Sequence, residues 1–247
     1  MNNIIEEIYR TGIVRDEAGN EYELKANIDK LEGEFIFQLI KANPNIQKTL
    51  EIGCGYGLSS LYICQALFGR ISAKHFIIDP LEYSLFHGVG IANLRRAGFD
   101  QFELIERPSE FALPEITQKE AGTFDLIFID GWHTFDHVML DLFYANYLIK
   151  VGGYIIMDDC NWPSVAKAVS YVSRYPAYKL IRQCTSQVSI KQALANTVKA
   201  MIPPSVASCI LPKTLYDKYY IRSVYSSMIA LKKVDNDSRN WDWFEPF

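Results

Sequence analysis

The chain of 247 residues is long enough for one α/β domain with insertions, and its 49% apolar fraction is that of a core-forming globular protein. A net charge of −4 argues against a nucleic-acid partner, and no run reaches the roughly 18 uninterrupted apolar residues of a membrane span. Five cysteines without a C-x-x-C pair (Cys54, Cys64, Cys160, Cys184 and Cys209), and an N-terminus with two glutamates and no apolar stretch, suit reduced thiols in a cytoplasmic chain without a signal peptide.

In chain order, residues 1–47 show a helical, amphipathic pattern with a polar turn near Asp16–Asn20. From Lys48 on, short apolar runs alternate with helical patterns. The runs are Thr49–Ile52, His75–Ile78, Phe102–Ile105, Leu126–Ile129 and Tyr154–Met157; the helical patterns are Leu58–Phe68, Ser84–Ala97, Ser109–Lys119 and Phe135–Ile149. This spacing predicts βαβ units and a parallel sheet. The runs are apolar throughout, as in strands covered on both faces. Pro163–Ser173 reads as the next helix, with proline in its first turn, and Tyr178–Ile181 and Ser227–Leu231 as two last strands. Residues 183–225 break the rhythm with prolines and a tyrosine cluster. They read as an insertion holding short helices, because a structureless stretch of that length is unusual in a compact domain. The expected organisation is a helical segment or cap over 1–47, a ligand-binding core over 48–182, an insertion that caps the core or joins copies of the chain over 183–225, and a last strand with an aromatic tail over 226–247.

Residues 50–57, Leu-Glu-Ile-Gly-Cys-Gly-Tyr-Gly, join a strand to a helix start through three glycines at alternate positions. Such a loop brings backbone N–H groups close to a nucleotide-like ligand. It departs from the dinucleotide fingerprint G-x-G-x-x-G, since position 58 is Leu and the third glycine is Gly57. Glu51 would repel a pyrophosphate but could pair with a cation or an amine. These features favour S-adenosylmethionine (SAM), with its ammonium and sulfonium, over NAD.

Four blocks carry a resemblance to a known family: LEIGCGYGLSS at 50–60, IIDP at 77–80, FDLIFIDGWHTFDHV at 124–138 and GGYIIMDD at 152–159. In this order they resemble the class I SAM-dependent methyltransferases, and most closely a bacterial subgroup with Asp-Gly-x-His after the fourth strand. The resemblance implies a Rossmann-like α/β fold: a seven-stranded sheet, six strands parallel and the last antiparallel, with helices on both faces. It assigns Glu51, Gly53, Gly55 and Gly57 to the methionine part of SAM. Asp79, ending the second strand, falls to the ribose, and the turn at Ser109 and Glu110 to the adenine.

Alternatives stay open at several positions. Ser109 can meet the base or cap the helix it begins. Trp132 can flank the adenine or pack in the core. His133 can take a proton from a hydroxyl near neutral pH, or simply bond its own loop. His137 reads as part of a solvated helix face. Asp130 can hold a metal or the SAM amino group. Asp130, Asp158 and Asp159 together would suit Mg2+, which would lower the pKa of an acceptor hydroxyl; otherwise Asp158 or Asp159 orients acceptor hydroxyls or caps the next helix. The aromatic tail Trp241–Phe247 is either a lid or a docked end.

The reading is a SAM-dependent methyltransferase, with His133 and Asp130 as catalytic residues, acting on oxygen of a small molecule or sugar, with no nucleic-acid partner and no membrane span. Two alternatives are an NAD-dependent oxidoreductase on a similar fold and a non-catalytic SAM-binding protein.

Overall fold

The computed structural model describes residues 3–25, 27–184 and 227–245. Its elements are α1 (Asn3–Thr11), β1 (Ile13–Arg15), β2 (Glu21–Glu23), α2 (Lys30–Ala42), β3 (Lys48–Ile52), α3 (Leu58–Leu67), β4 (Lys74–Ile78), α4 (Val89–Arg96), β5 (Phe102–Ile105), α5 (Ser109–Glu120), β6 (Phe124–Ile129), α6 (Phe135–Leu148), β7 (Ile149–Met157), α7 (Pro163–Val172), β8 (Tyr178–Cys184) and β9 (Met228–Lys233).

Seven strands form one sheet in the order β5-β4-β3-β6-β7-β9-β8. β3 pairs in parallel with both β4 and β6, and β9 runs antiparallel between β7 and β8. Six strands are therefore parallel and the last in the chain is reversed, as expected. The chain proceeds outward from β3 in one direction and from β6 in the other, which makes the β3/β6 boundary the switch point where open α/β sheets hold ligands.

The uninterrupted apolar character of the strands follows from their two-sided burial. Ile77, Leu126, Phe128, Tyr154 and Ile156 face the core shared with α1–α4. Their neighbours Leu50, Ile52, Ile78, Ile127, Ile129, Ile155 and Met157 face the core shared with α5–α7. Adjacent residues point to opposite faces, and both faces are covered.

Three local expectations are corrected. Residues 1–47 are not helical throughout: β1 and β2 form an antiparallel hairpin. Gly12, at φ 66, ends α1, and the turn after β1 is closed by Asp16 Oδ1, which accepts from Asn20 N at 2.9 Å. Three-residue strands are too short to show an alternating pattern. The helix expected from Ser84 begins only at Val89, because His87 and Gly88 adopt left-handed φ of 58 and 72. Ser109 does not cap α5; Pro108 stands at the cap position and Ser109 is the first helical residue.

Two contacts order the N-terminal segment internally. Asp29 and Glu32 form a reciprocal capping box at the start of α2. The Tyr9 hydroxyl donates to Ile28 O at 2.8 Å, tying α1 to the strand of chain that leads into α2.

Of the aromatic tail, Trp243 docks, whereas Trp241 and Phe244 are exposed and 246–247 lie outside the described residues. Trp243 lies 5.8 and 5.3 Å from the rings of Tyr171 and Tyr175, and the Arg239 guanidinium lies 3.3 Å from the Tyr175 centroid. These contacts sit beside the start of β8, at the end of the sheet away from the strand carboxyl ends. Of the expected insertion, Gln183 and Cys184 end β8, and 185–226 lie outside the described residues. Among the described residues no helix is long and apolar enough to cross a membrane.

Candidate active site

The carboxyl ends of β3, β4, β6 and β7 and the turn after β5 border one cleft of about 890 Å3, walled on its outer side by Lys25, Asn27, Ile28 and Glu32. Gly53, Gly55, Asp79, Ser109, Asp130, Trp132, His133, Asp158 and Asp159 all line it. The fold thus gathers most of the expected site residues from over a hundred positions of sequence.

The glycine loop is shaped by two close approaches. A Cβ on Gly53 (φ 87) would lie 2.1 Å from the carbonyl oxygen of Asp130, so no larger residue fits where β3 passes β6. A Cβ on Gly55 (φ 54) would meet nothing nearer than the Phe86 ring at 3.8 Å; this position opens onto the cleft. Asp79 fixes the loop from below. Its Oδ2 accepts from Cys54 N at 2.8 Å and Gly55 N at 2.9 Å, and its Oδ1 accepts from Leu81 N at 2.8 Å. A carboxylate has about four lone-pair sites, so capacity remains on the cleft side.

Two members of the expected cofactor set do not reach the cleft. Glu51 is fully buried, with the hydroxyls of Ser59 and Ser60 donating to its two oxygens. His75 Nε2 lies 2.9 Å from Glu51 Oε2, and His75 Nδ1 lies 2.9 Å from Thr49 Oγ1. The expectation that Glu51 faces the ligand's cationic end is therefore corrected: it anchors the first turn of α3 behind the loop. Gly57, at the cap of α3, packs against Gly90 of α4, a Cβ there lying 2.8 Å from Gly90 Cα. Its small size serves helix packing.

At the β6/β7 end the side chains converge. His133 Nε2 lies 3.3 Å from Asp130 Oδ1 and 3.2 Å from Asp159 Oδ2. The ring is tilted 32° against Trp162 at a centroid distance of 5.4 Å, and the His133 carbonyl accepts from Ser164 Oγ at 2.5 Å. The Asp130 hydrogen bond is the largest influence on His133 and raises its pKa, outweighing burial. Burial pushes Asp130 up to about 6, with Asp159 and Glu51 adding to the rise and His133 opposing it. Asp158 and Asp159 are also raised, chiefly by burial. Asp158 Oδ1 accepts from Asp159 N at 2.8 Å, a bond made while Asp159 holds a left-handed φ of 50.

Among the described residues one group has metal-ligand spacing: single ligand atoms of Asp130, His133 and Asp159 lie within 4.8 Å of one another. The expected trio is thereby altered, with His133 in place of Asp158. The β6 loop turns His133 back over the carboxylates, which strand positions alone do not reveal. His137 also departs from expectation: it lines the cleft, its Nδ1 lying 2.7 Å from Thr134 Oγ1. Trp132 is 61% exposed, so the core-packing alternative for it fails.

Several contributors had no signal in the sequence. Glu32 enters the cleft only because α2 packs on α3. Trp162 follows the paired aspartates, and its position against His133 needs the start of α7. Glu82 is buried beneath the glycine loop, where its Oε1 accepts from Ile91 N at 3.0 Å and burial raises it to about 7.

Residues 50–160 match the family described as a methyltransferase domain. Over that segment the chain is similar to the methyltransferase domain, and its strand order is the one expected of a Rossmann-like methyltransferase sheet. It is 28% identical over 148 residues to catechol O-methyltransferase B of Danio rerio, covering 58% of this chain and 54% of that protein. It is 33% identical over 129 residues to "Probable caffeoyl-CoA O-methyltransferase 1" of Dictyostelium discoideum, covering 50% and 52%. The chain thus spans about half the length of the curated relatives it matches. The fold is similar to that of an O-methyltransferase from Bacillus cereus solved with S-adenosylhomocysteine (SAH): TM-score 0.60, 18% identity, 75% of this chain and 86% of that one. It is also similar to an O-methyltransferase of tomaymycin synthesis from Streptomyces achromogenes solved with SAM: TM-score 0.54, 20% identity, 65% and 76%.

Proposed function

We propose that this chain transfers the methyl group of SAM to a hydroxyl oxygen of a small molecule or sugar. The observation that carries the reading is the meeting, in one cleft, of the open glycine loop and the His133–Asp130–Asp159 group. Its relatives by sequence are O-methyltransferases, which supports oxygen as the accepting atom.

Methyl transfer to oxygen needs an in-line approach, a dry site and somewhere for the hydroxyl proton to go. In this reading the loop at Gly53–Gly55 and the Asp79 side chain seat the cofactor, with its methionine end against the loop and its reactive end toward β6. Ile28, Trp132 and Trp162 wall the acceptor end against water. His133 receives the proton. The two carboxylates beside Nε2 favour the cation that results, as the upward shift of His133 already reflects. The N-terminal segment acts as a cap that lines the acceptor side.

The donor set also fits a divalent cation. Burial chiefly raises the carboxyls of Asp130, Asp158 and Asp159, with carboxylate neighbours adding to the rise at Asp130 and Asp158, and a bound cation favours their ionised forms. For Mg2+ the fitting donors are oxygens, so Asp130 and Asp159 would hold it, with Asp158 behind them, and His133 keeps its role as base. When bound, the ion supplies a Lewis acid that acidifies the acceptor hydroxyl.

The test is methyl transfer from labelled SAM to a panel of small hydroxyl compounds, with and without EDTA. The expected result is transfer that EDTA removes and Mg2+ or Mn2+ restores, and an Asp159→Asn variant that needs more metal while binding SAM as before. Full activity in EDTA rejects the metal and leaves proton removal to His133 alone. Absence of transfer to any hydroxyl, with SAM still bound, counts against oxygen as the acceptor atom.

A further inference from the structure

The N-terminal hairpin of β1 and β2 meets both sides of the cleft. Just after β2, Lys25, Asn27 and Ile28 form part of its outer wall. On the other side, the Tyr22 ring of β2 lies flat on the His87 imidazole, with centroids 4.4 Å apart and planes 11° from parallel. His87 follows Phe86 in the segment that leads from β4 to α4, and Phe86 lines the cleft. The Phe86 ring lies 3.8 Å from where a Cβ on Gly55 would stand, and its centroid is 5.2 Å, edge to face, from that of Tyr56. The stack thus joins the outer wall to the aromatic cover of the glycine loop, although neither Tyr22 nor His87 lines the cleft itself.

Both partners are held for this contact. The Tyr22 hydroxyl donates to Asp16 Oδ2 at 3.0 Å, and Val14 seats β1 in the core. His87 keeps a left-handed φ of 58, and with Gly88 it turns the chain so that Gly88 N donates to Glu82 O at 2.7 Å and Val89 N to Phe86 O at 3.0 Å. Glycine takes such a φ without strain, so a ring at position 87 is explained by what it touches. Ion pairs of Glu17 with Arg95 and of Glu7 with Arg96 also tie this segment to α4, but they are solvent-accessible and each holds little. We propose that Tyr22 and His87 are positioning residues whose stack holds Phe86 over the glycine loop, so that filling the cofactor side of the cleft also orders the outer wall at Lys25, Asn27 and Ile28. The inference rests on the cofactor reading above, which puts the ligand's methionine end against the loop that Phe86 covers.

The experiment is calorimetric titration with SAH of the wild type, Tyr22→Ala, Tyr22→Phe, His87→Ala and the Tyr22→Ala/His87→Ala double variant, with amide hydrogen exchange followed in the free and SAH-bound proteins. Tyr22→Ala and His87→Ala are each expected to weaken SAH by about 3- to 10-fold, the usual worth of an aromatic pair, and the double variant by no more than either alone. Tyr22→Phe keeps the ring, loses only the bond to Asp16, and should bind as the wild type does. In the wild type SAH should slow exchange both at Leu81–Gly88 and in β2, Asn27 and Ile28; in Tyr22→Ala the second effect should vanish, a loss that a merely structural role does not predict. Folded single variants that bind SAH like the wild type, losses that add in the double variant, or protection of β2 that survives Tyr22→Ala would each overturn the proposal. Should Tyr22→Ala fail to fold, His87→Ala decides alone by the same affinity and exchange readings. A wild type that does not bind SAH contradicts the cofactor reading itself, and the inference falls with it.

Discussion

Gly55→Val is expected to lower the affinity for SAH by at least about 100-fold, a loss of about 2.7 kcal/mol or more. The position is unusual among the three loop glycines. A side chain at Gly53 would collide with the Asp130 carbonyl, and one at Gly57 with Gly90, so substitution at either strains the protein itself. At Gly55 the nearest atom to an added Cβ is at 3.8 Å, in ordinary contact, and the space beyond it is the cleft. A branched side chain therefore fills the ligand's place while leaving the packing of the loop intact. Its φ of 54 disfavours a β-branched residue, so some stability is lost as well, and circular dichroism must accompany the titration. A folded Gly55→Val protein that binds SAH as tightly as the wild type would sink the assignment of this loop to the cofactor.

His133→Ala should lower turnover by about 10²–10⁴-fold, the usual worth of a positioned base, while SAH affinity changes little. His133 stands at the acceptor end, held by Ser164 through its backbone and by Asp130 and Asp159 through its ring. Its removal deletes the proton's destination without touching the loop. It also leaves the raised carboxyls of Asp130 and Asp159 without their basic partner. Turnover within a few-fold of the wild type would show that another group takes the proton.

The architecture was legible because its signals are periodic and repeated. Runs such as Leu126–Ile129 and Ile155–Met157 are apolar at every position, and that pattern marks strands buried on both faces. Glycines at alternate positions marked the loop between β3 and α3. The hairpin at Ile13–Glu23 and the late start of α4 escaped because a three-residue strand has no period and a left-handed His87 has no sequence signature. The site was legible wherever a residue ends a strand, as Asp79, Asp130 and Asp158 do, since strand ends are where the sheet topology puts ligands. Glu51 misled for a related reason. It too is near a strand end, but it lies one residue inside β3, where side chains are covered, and Ser59, Ser60 and His75 bind it there. Glu32 and Trp162 were invisible because each reaches the cleft through the packing of its helix, which depends on the whole fold.

The central claim is that the cleft is built for SAM, and calorimetry on the unmodified protein tests it most directly. Titrated separately with SAM, SAH and NAD, the protein is expected to bind SAM and SAH in the micromolar range, about −8 kcal/mol, and to give no heat of binding with NAD. Binding of NAD without SAM or SAH would contradict the account and return the fold to the dinucleotide-dependent oxidoreductases.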